Sequence, residues 1–173
     1  ALVAGIADQL DARRDELATL AVLEMGKTLR SARDEVAKCA LACRHYAAHA
    51  PALLTPESIS SDGSVAGSIR YDPIGIVLAV MPWNFPYWQV MRAVAPNIAA
   101  GNGLVLKHAS NVPQCAMAIE SLIDAAGAPS GLFSTMLVGS SRVGALIDDP
   151  RIAAVTLTGS EAAGRAVAGR AGS

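Results

Sequence analysis

Four stretches of this sequence carry side chains whose type and spacing could do chemistry. In Val80-Met81-Pro82-Trp83-Asn84-Phe85-Pro86, an amide stands between two prolines and two aromatics. An amide held on so stiff a turn either donates to a developing oxyanion or satisfies the turn itself. Lys107, with Ser110 three residues on, offers an ammonium and a hydroxyl to phosphate or ribose oxygens, unless it is only a surface cation. Thr158-Gly159-Ser160 joins a glycine that allows close backbone approach to a good helix N-cap. The helix it opens either presents free N–H groups and a positive dipole end to a phosphate or is plainly capped. Arg92, with Tyr87, Trp88 and Met91 around it, is a snorkelling surface residue or the partner of an anion.

Other reactive side chains point to little. Cys39, Cys43 and Cys115 leave an odd one over, so no disulfide framework is expected and a reduced, cytoplasmic setting fits. None has an evident base or helix N-terminus to lower its pKa. Cys39 and Cys43 read as small, half-buried apolar residues. His45 and His49 share a helix face at i, i+4 without a nearby third ligand, so no metal is expected.

The elements that must position these groups follow from periodicity. Residues 1–50 carry much of the charge, and Ile6, Leu10, Leu17, Leu20, Leu23 and Leu29 keep one helical face apolar. One long helix is expected to end at Gly26, and a second to run from Leu29 to His49, with Arg33, Asp34, Glu35 and Lys38 on a solvated face. Pro51 to Pro56 ends the helices. Ile59 to Asp72 alternates polar and apolar residues, with Gly63 and Gly67 as turn points, and suggests a polar hairpin.

From Tyr71 apolar runs alternate with helical stretches. Gly75–Val80, Gly103–Lys107, Phe133–Val138 and Ala153–Leu157 are strand-like. Each precedes a helix: Trp88 to Ala100, Val112 to Ala126, Arg142 to Ile147, and from Glu161. Four such repeats predict an α/β fold with a doubly wound parallel sheet. In such sheets ligands bind outside the carboxyl ends of the strands, which is where Asn84, Lys107 and Thr158–Ser160 fall.

Composition narrows the classes. With 52% hydrophobic and 17% charged residues, the 173-residue chain is globular. A net charge of −1 gives no basic excess for nucleic acid or an anionic membrane. No apolar run approaches the roughly 18 residues of a membrane span.

Pro82-Trp83-Asn84-Phe85-Pro86 is similar to a signature of the aldehyde dehydrogenase superfamily, and Glu24-Met25-Gly26-Lys27 resembles an early segment of it. Lys107-His108-Ala109-Ser110 resembles the family's adenosine-ribose clamp, with His108 where Pro is usual. Thr158-Gly159-Ser160, with Gly164 beyond, resembles its pyrophosphate turn. The run from Leu106 to Ala116 looks like the bacterial succinate-semialdehyde dehydrogenase subgroup.

The resemblance implies an N-terminal helical layer (1–56), an oligomerisation hairpin (57–72) and a Rossmann-like NAD(P)-binding domain (73–173), with the catalytic domain absent. It implies Asn84 as the catalytic amide and Arg92 as the binder of a substrate carboxylate. It further implies Met81, Pro82, Trp83, Lys107, Ser110, Gly139, Thr158, Gly159 and Ser160 as cofactor-binding positions. Many NAD-preferring members carry Glu at the Ser110 position, so NADP is expected, with NAD possible. An aldehyde substrate and, at full length, a homo-oligomer are implied. The family's mechanism uses a cysteine nucleophile and a glutamate base beyond these residues, so the chain is expected to be an amino-terminal fragment, inactive alone. The rival expectations are another aldehyde, or a non-catalytic nucleotide-binding or interaction module.

Overall fold

The structure, a computed structural model, describes residues 1–61 and 65–172. The charged N-terminal stretch forms three helices: α1 (Leu2–Ala12), α2 (Arg14–Met25) and α3 (Leu29–Leu53). The single first helix expected from the apolar spacing is broken at Arg13. There the guanidinium pairs with Glu16 and donates to Ser121 Oγ at the surface, at 3.3 Å. Gly26 closes α2 in the left-handed region (φ 77°), as its position suggests. Thr28 caps α3, its hydroxyl accepting from Ser31 N–H at 3.3 Å. Pro51 does not end this helix but lies in its last turn.

The hairpin consists of β1 (Glu57–Ser61) and β2 (Val65–Ile69), antiparallel, with Glu57 opposite Ile69. Gly67 is not a turn point. It pairs with Ile59 inside β2, where extended backbone asks nothing special of glycine. The other expected turn, Gly63, lies outside the described residues.

The remaining strands are β3 (Ile76–Val80), β4 (Gly103–Lys107), β5 (Phe133–Thr135) and β6 (Ile152–Leu157). Between and after them run α4 (Trp88–Ala99), α5 (Pro113–Ala125), a 3-10 turn (Ser140–Arg142) with α6 (Val143–Ile147), and α7 (Glu161–Ala171). All four strands are parallel, in the order β5-β4-β3-β6. β5 stops three residues before the expected Val138. Met136 N–H still donates to Leu106 O (2.8 Å), but Val138 N–H then folds back onto Met136 O (2.9 Å), a tight turn that leaves the ladder.

Right-handed crossovers put α4 and α5 on one face and α6 and α7 on the other. The core lies on the first face. There Tyr87, Val90, Met91, Ile119 and Leu122 are fully buried against Ile6, Leu10, Leu17 and Val36 of the three-helix layer. No residue of α6 or α7 is buried to that degree. Burying side chains of this size contributes about 1.5–3 kcal/mol each, so the α4–α5 face is the rigid side of the sheet.

The strand order decides where a ligand can go. The chain moves from β3 outward to β5, then returns to place β6 on the opposite edge of β3. The order therefore reverses at β3, and the crevice between the loops after β3 and β6 is the topological switch point. Val80 aligns with Lys107 on one side and Leu157 on the other. Met81 N–H donates to Lys107 O and Thr158 N–H to Val80 O, both at 3.1 Å. The three chemistry-bearing loops thus leave the sheet at one level.

Candidate functional site

The β3–α4 turn is held on either side of its amide. Tyr87 N–H and Trp88 N–H each donate to Glu35 Oε1 at 2.8 Å, and Tyr87 Oη donates to Leu17 O at 2.8 Å. The Lys27 ammonium lies 4.1 Å from the centre of the Phe85 ring. Asn84 itself is exposed and makes no hydrogen bond among the described residues. It lines a hollow of about 330 Å³ with Pro82, Trp83, Gln89, Thr158, Gly159 and Ser160. The motifs that follow β3 and β6 meet there.

Glu35 corrects the expectation of a solvated α3 face. It is 4% exposed, accepts both N–H groups at the start of α4, and forms an ion pair with Lys27. Glu24 does the same for α5, whose Pro113 has no N–H to offer. Gln114 and Cys115 N–H donate to its two oxygens at 2.8 Å each. The carboxylates on either side of the Gly26 bend therefore cap the helices that follow β3 and β4. Two helix N-termini are closed by the protein's own anions.

The third is open. Ser160 Oγ accepts from Ala163 N–H at 3.2 Å, which leaves Glu161 and Ala162 N–H at the head of α7 without a partner among the described residues. A Cβ on Gly159 would meet Leu157 and Ala163 only at ordinary contact distances of 3.6 and 3.7 Å. Nothing within the chain demands glycine there, and the gap faces solvent.

Lys107 is 7% exposed, yet its ammonium makes no hydrogen bond or ion pair among the described residues. Burial holds its ammonium below the ordinary lysine value. It lines a mainly apolar cleft of about 400 Å³ between α6 and α7, with Ser140, Gly144 and Leu157 among the walls. Ser110 and Gly139 line an adjoining hollow of about 180 Å³. Ser110 is exposed. An apolar cleft with a buried ammonium in its wall can hold an apolar ring and an anionic group side by side.

His108 ties this loop to the first. Nδ1 accepts from Ala109 N–H at 2.8 Å, so Nε2 carries the proton and donates to Pro86 O at 2.9 Å. Burial lowers its pKa, opposed by the Pro86 and Met81 carbonyls and by Glu24. A histidine whose folded pKa lies below its unfolded value stabilises fully above about pH 6.5 and loses that contribution as the pH falls. Thermal melts between about pH 8 and pH 5.5 should therefore show a loss of order 1 kcal/mol that His108→Gln removes. An equal loss in the variant would assign the effect elsewhere.

Two groups went unnoticed in the sequence or stand differently from expectation. Gln89 lines the Asn84 hollow, and its shielded Oε1 has no partner among the described residues. Arg92 lies in the second turn of α4, on the face shared with Trp88 and Gln89. Its expected apolar neighbours Tyr87 and Met91 turn away into the core, so Arg92 stands exposed, with no ion pair among the described residues.

The sequence profile of the Aldehyde dehydrogenase family matches residues 1–173. The chain belongs to the aldehyde dehydrogenase family. It is 53% identical over 168 residues to the succinate-semialdehyde dehydrogenase, NADP(+), of Mycobacterium avium (strain 104), covering 96% of this chain and 36% of that relative. It is also 53% identical over 165 residues to a probable succinate-semialdehyde dehydrogenase, NADP(+), of Synechocystis sp., covering 95% and 36%. The crystal structure of the Streptococcus pyogenes succinic semialdehyde dehydrogenase with NADP+ superposes with a TM-score of 0.95 at 38% identity, covering 99% of this chain and 38% of that one. The chain spans little more than a third of these relatives.

For an aldehyde dehydrogenase, the state of the cysteines matters. All three are buried. Burial pushes the thiols of Cys43 and Cys115 up to about 12 and raises that of Cys39 well above the ordinary thiol value, with Glu35 adding to the last. At neutral pH each is a thiol packed in the core. The half-buried reading of Cys39 and Cys43 is corrected to full burial.

Proposed function

We propose that the chain is the amino-terminal part of an NADP-dependent aldehyde dehydrogenase that oxidises succinate semialdehyde to succinate. The observation that carries this reading is the hollow at the switch point, where the unengaged amide of Asn84 faces the open N-terminus of α7. In this reading Asn84 Nδ2 donates to the carbonyl oxygen as it gains negative charge. The nucleophilic cysteine and the general base lie outside these 173 residues, since none of the three cysteines here can offer a thiolate.

The residues fit the cofactor. Glu161 and Ala162 N–H receive a pyrophosphate at a positive helix end, with Gly159 leaving room for it. Lys107 supplies the cation at the ribose, the cleft between α6 and α7 takes the adenine, and Pro82 and Trp83 form the wall nearest Asn84, whereas the Met81 side chain, expected to touch the cofactor, is buried in the core behind them. Gly139 lines the hollow beside Ser110 without side-chain bulk. When bound, NADP+ accepts the hydride that the aldehyde carbon gives up.

Ser110 sets the choice of nucleotide. It can donate to a 2′-phosphate, whereas a glutamate would repel one. In the full-length enzyme, Ser110→Glu should lower the ratio of NADPH to NADH affinity at least about tenfold by fluorescence titration. An unchanged ratio would remove Ser110 from cofactor selection.

Arg92 sets the choice of aldehyde. An exposed, unpaired guanidinium one turn past Gln89 suits the distal carboxylate of a semialdehyde. Arg92→Met should raise KM for succinate semialdehyde on the order of 10- to 100-fold, the worth of a charge-assisted hydrogen bond. KM for butanal should stay within about twofold. Equal changes for both aldehydes would place Arg92 outside substrate recognition.

A further inference from the structure

We propose that Glu35, braced by Lys27, is a positioning residue for Asn84. The inference rests on the reading of Asn84 given above. The turn that carries this amide cannot hold it by the amide's own bonds, because it makes none among the described residues. Its orientation comes from the two ends of the turn. The strand end is fixed by Met81 N–H on Lys107 O. The helix end is fixed by one carboxylate oxygen, Glu35 Oε1, which receives Tyr87 and Trp88 N–H at the same distance of 2.8 Å. That double acceptance sets both the start and the tilt of α4, four residues beyond Asn84.

Lys27 couples to the same turn twice. Its ammonium pairs with Glu35 Oε2 and lies over the Phe85 ring, the side chain next to Asn84. The pair is shielded, with side-chain exposures of 8% for Lys27 and 1% for Glu35. A shielded charge pair with every oxygen engaged has few alternative geometries, unlike the exposed pairs of this chain, such as Arg44–Asp11. The sequence separation also matters. Glu35 stands 52 residues before Tyr87, so the three-helix layer acts as the rigid jig on which the amide is set. A group that must meet a developing oxyanion within a few tenths of an ångström needs such support.

The test is a double-mutant cycle on kcat in the full-length enzyme, with succinate semialdehyde and NADP+. Glu35→Gln keeps an oxygen for the two N–H groups but breaks the pair with Lys27. If Glu35 acts through Asn84, Glu35→Gln should lower kcat about tenfold in the wild type, with KM for the aldehyde and Kd for NADPH changed less than about twofold. In the Asn84→Ala background the same change should lower kcat less than about twofold, since the positioned group is gone. A tenfold loss in both backgrounds, or none in the wild type, overturns the proposal. An Asn84→Ala variant with normal kcat would overturn the reading of Asn84 and the inference with it. Lys27→Met leaves both N–H groups their acceptor. It takes Glu35→Gln's place in the same cycle if that variant does not fold, with the same two outcomes.

Discussion

Asn84→Ala in the full-length enzyme should lower kcat for aldehyde oxidation by about 10²–10³-fold, the usual cost of losing one oxyanion donor. KM should move little, because the amide meets the oxygen most strongly after charge has developed on it. Stability should not move either. Asn84 is exposed and bonds to nothing among the described residues, so its truncation removes no internal contact. That combination, a large kinetic loss with an unchanged melting curve, separates a catalytic amide from one that merely satisfies its turn. A variant that lost stability and kept its rate would reverse the assignment.

Glu35→Ala should be strongly destabilising. It strips the acceptor from two N–H groups at the head of α4 and leaves the shielded Lys27 ammonium without its counter-charge. Breaking a buried pair from one side costs about 3–5 kcal/mol. Exposed pairs give the contrast. Arg165 and Glu161 are both 80% exposed, and removing either should cost at most about 1 kcal/mol. Urea unfolding of the two variants side by side checks this. Similar midpoints for Glu35→Ala and Arg165→Ala would mean that the Glu35 carboxylate is not the anchor of the α4 turn.

The sheet and its loops were legible in the sequence because they rest on local signals. Apolar runs of strand length ended by Pro82, Lys107 and Thr158 need no partner to be read, and the strand-helix alternation allows few other arrangements. What stayed hidden was the long-range polar scaffold. Glu35 sits in a charged helical run with Arg33, Asp34 and Lys38, and nothing in that run marks which carboxylate turns inward. Its burial is decided by N–H groups 52 residues away. Glu24 was noticed for its motif, but its caps lie 90 and 91 residues on. His108 was visible as a departure from the usual proline, yet the bond to Pro86 that gives it a purpose depends on how two loops meet. The break at Arg13 and the early end of β5 have the same origin, in hydrogen bonds that periodicity does not encode.

The central claim is tested most directly by following NADPH formation from NADP+ by the full-length polypeptide, with succinate semialdehyde and with butanal at matched concentrations. The expected result is a kcat/KM for succinate semialdehyde at least about tenfold above that for butanal. Failure to form NADPH with either aldehyde, or equal kcat/KM values for the two, would contradict it.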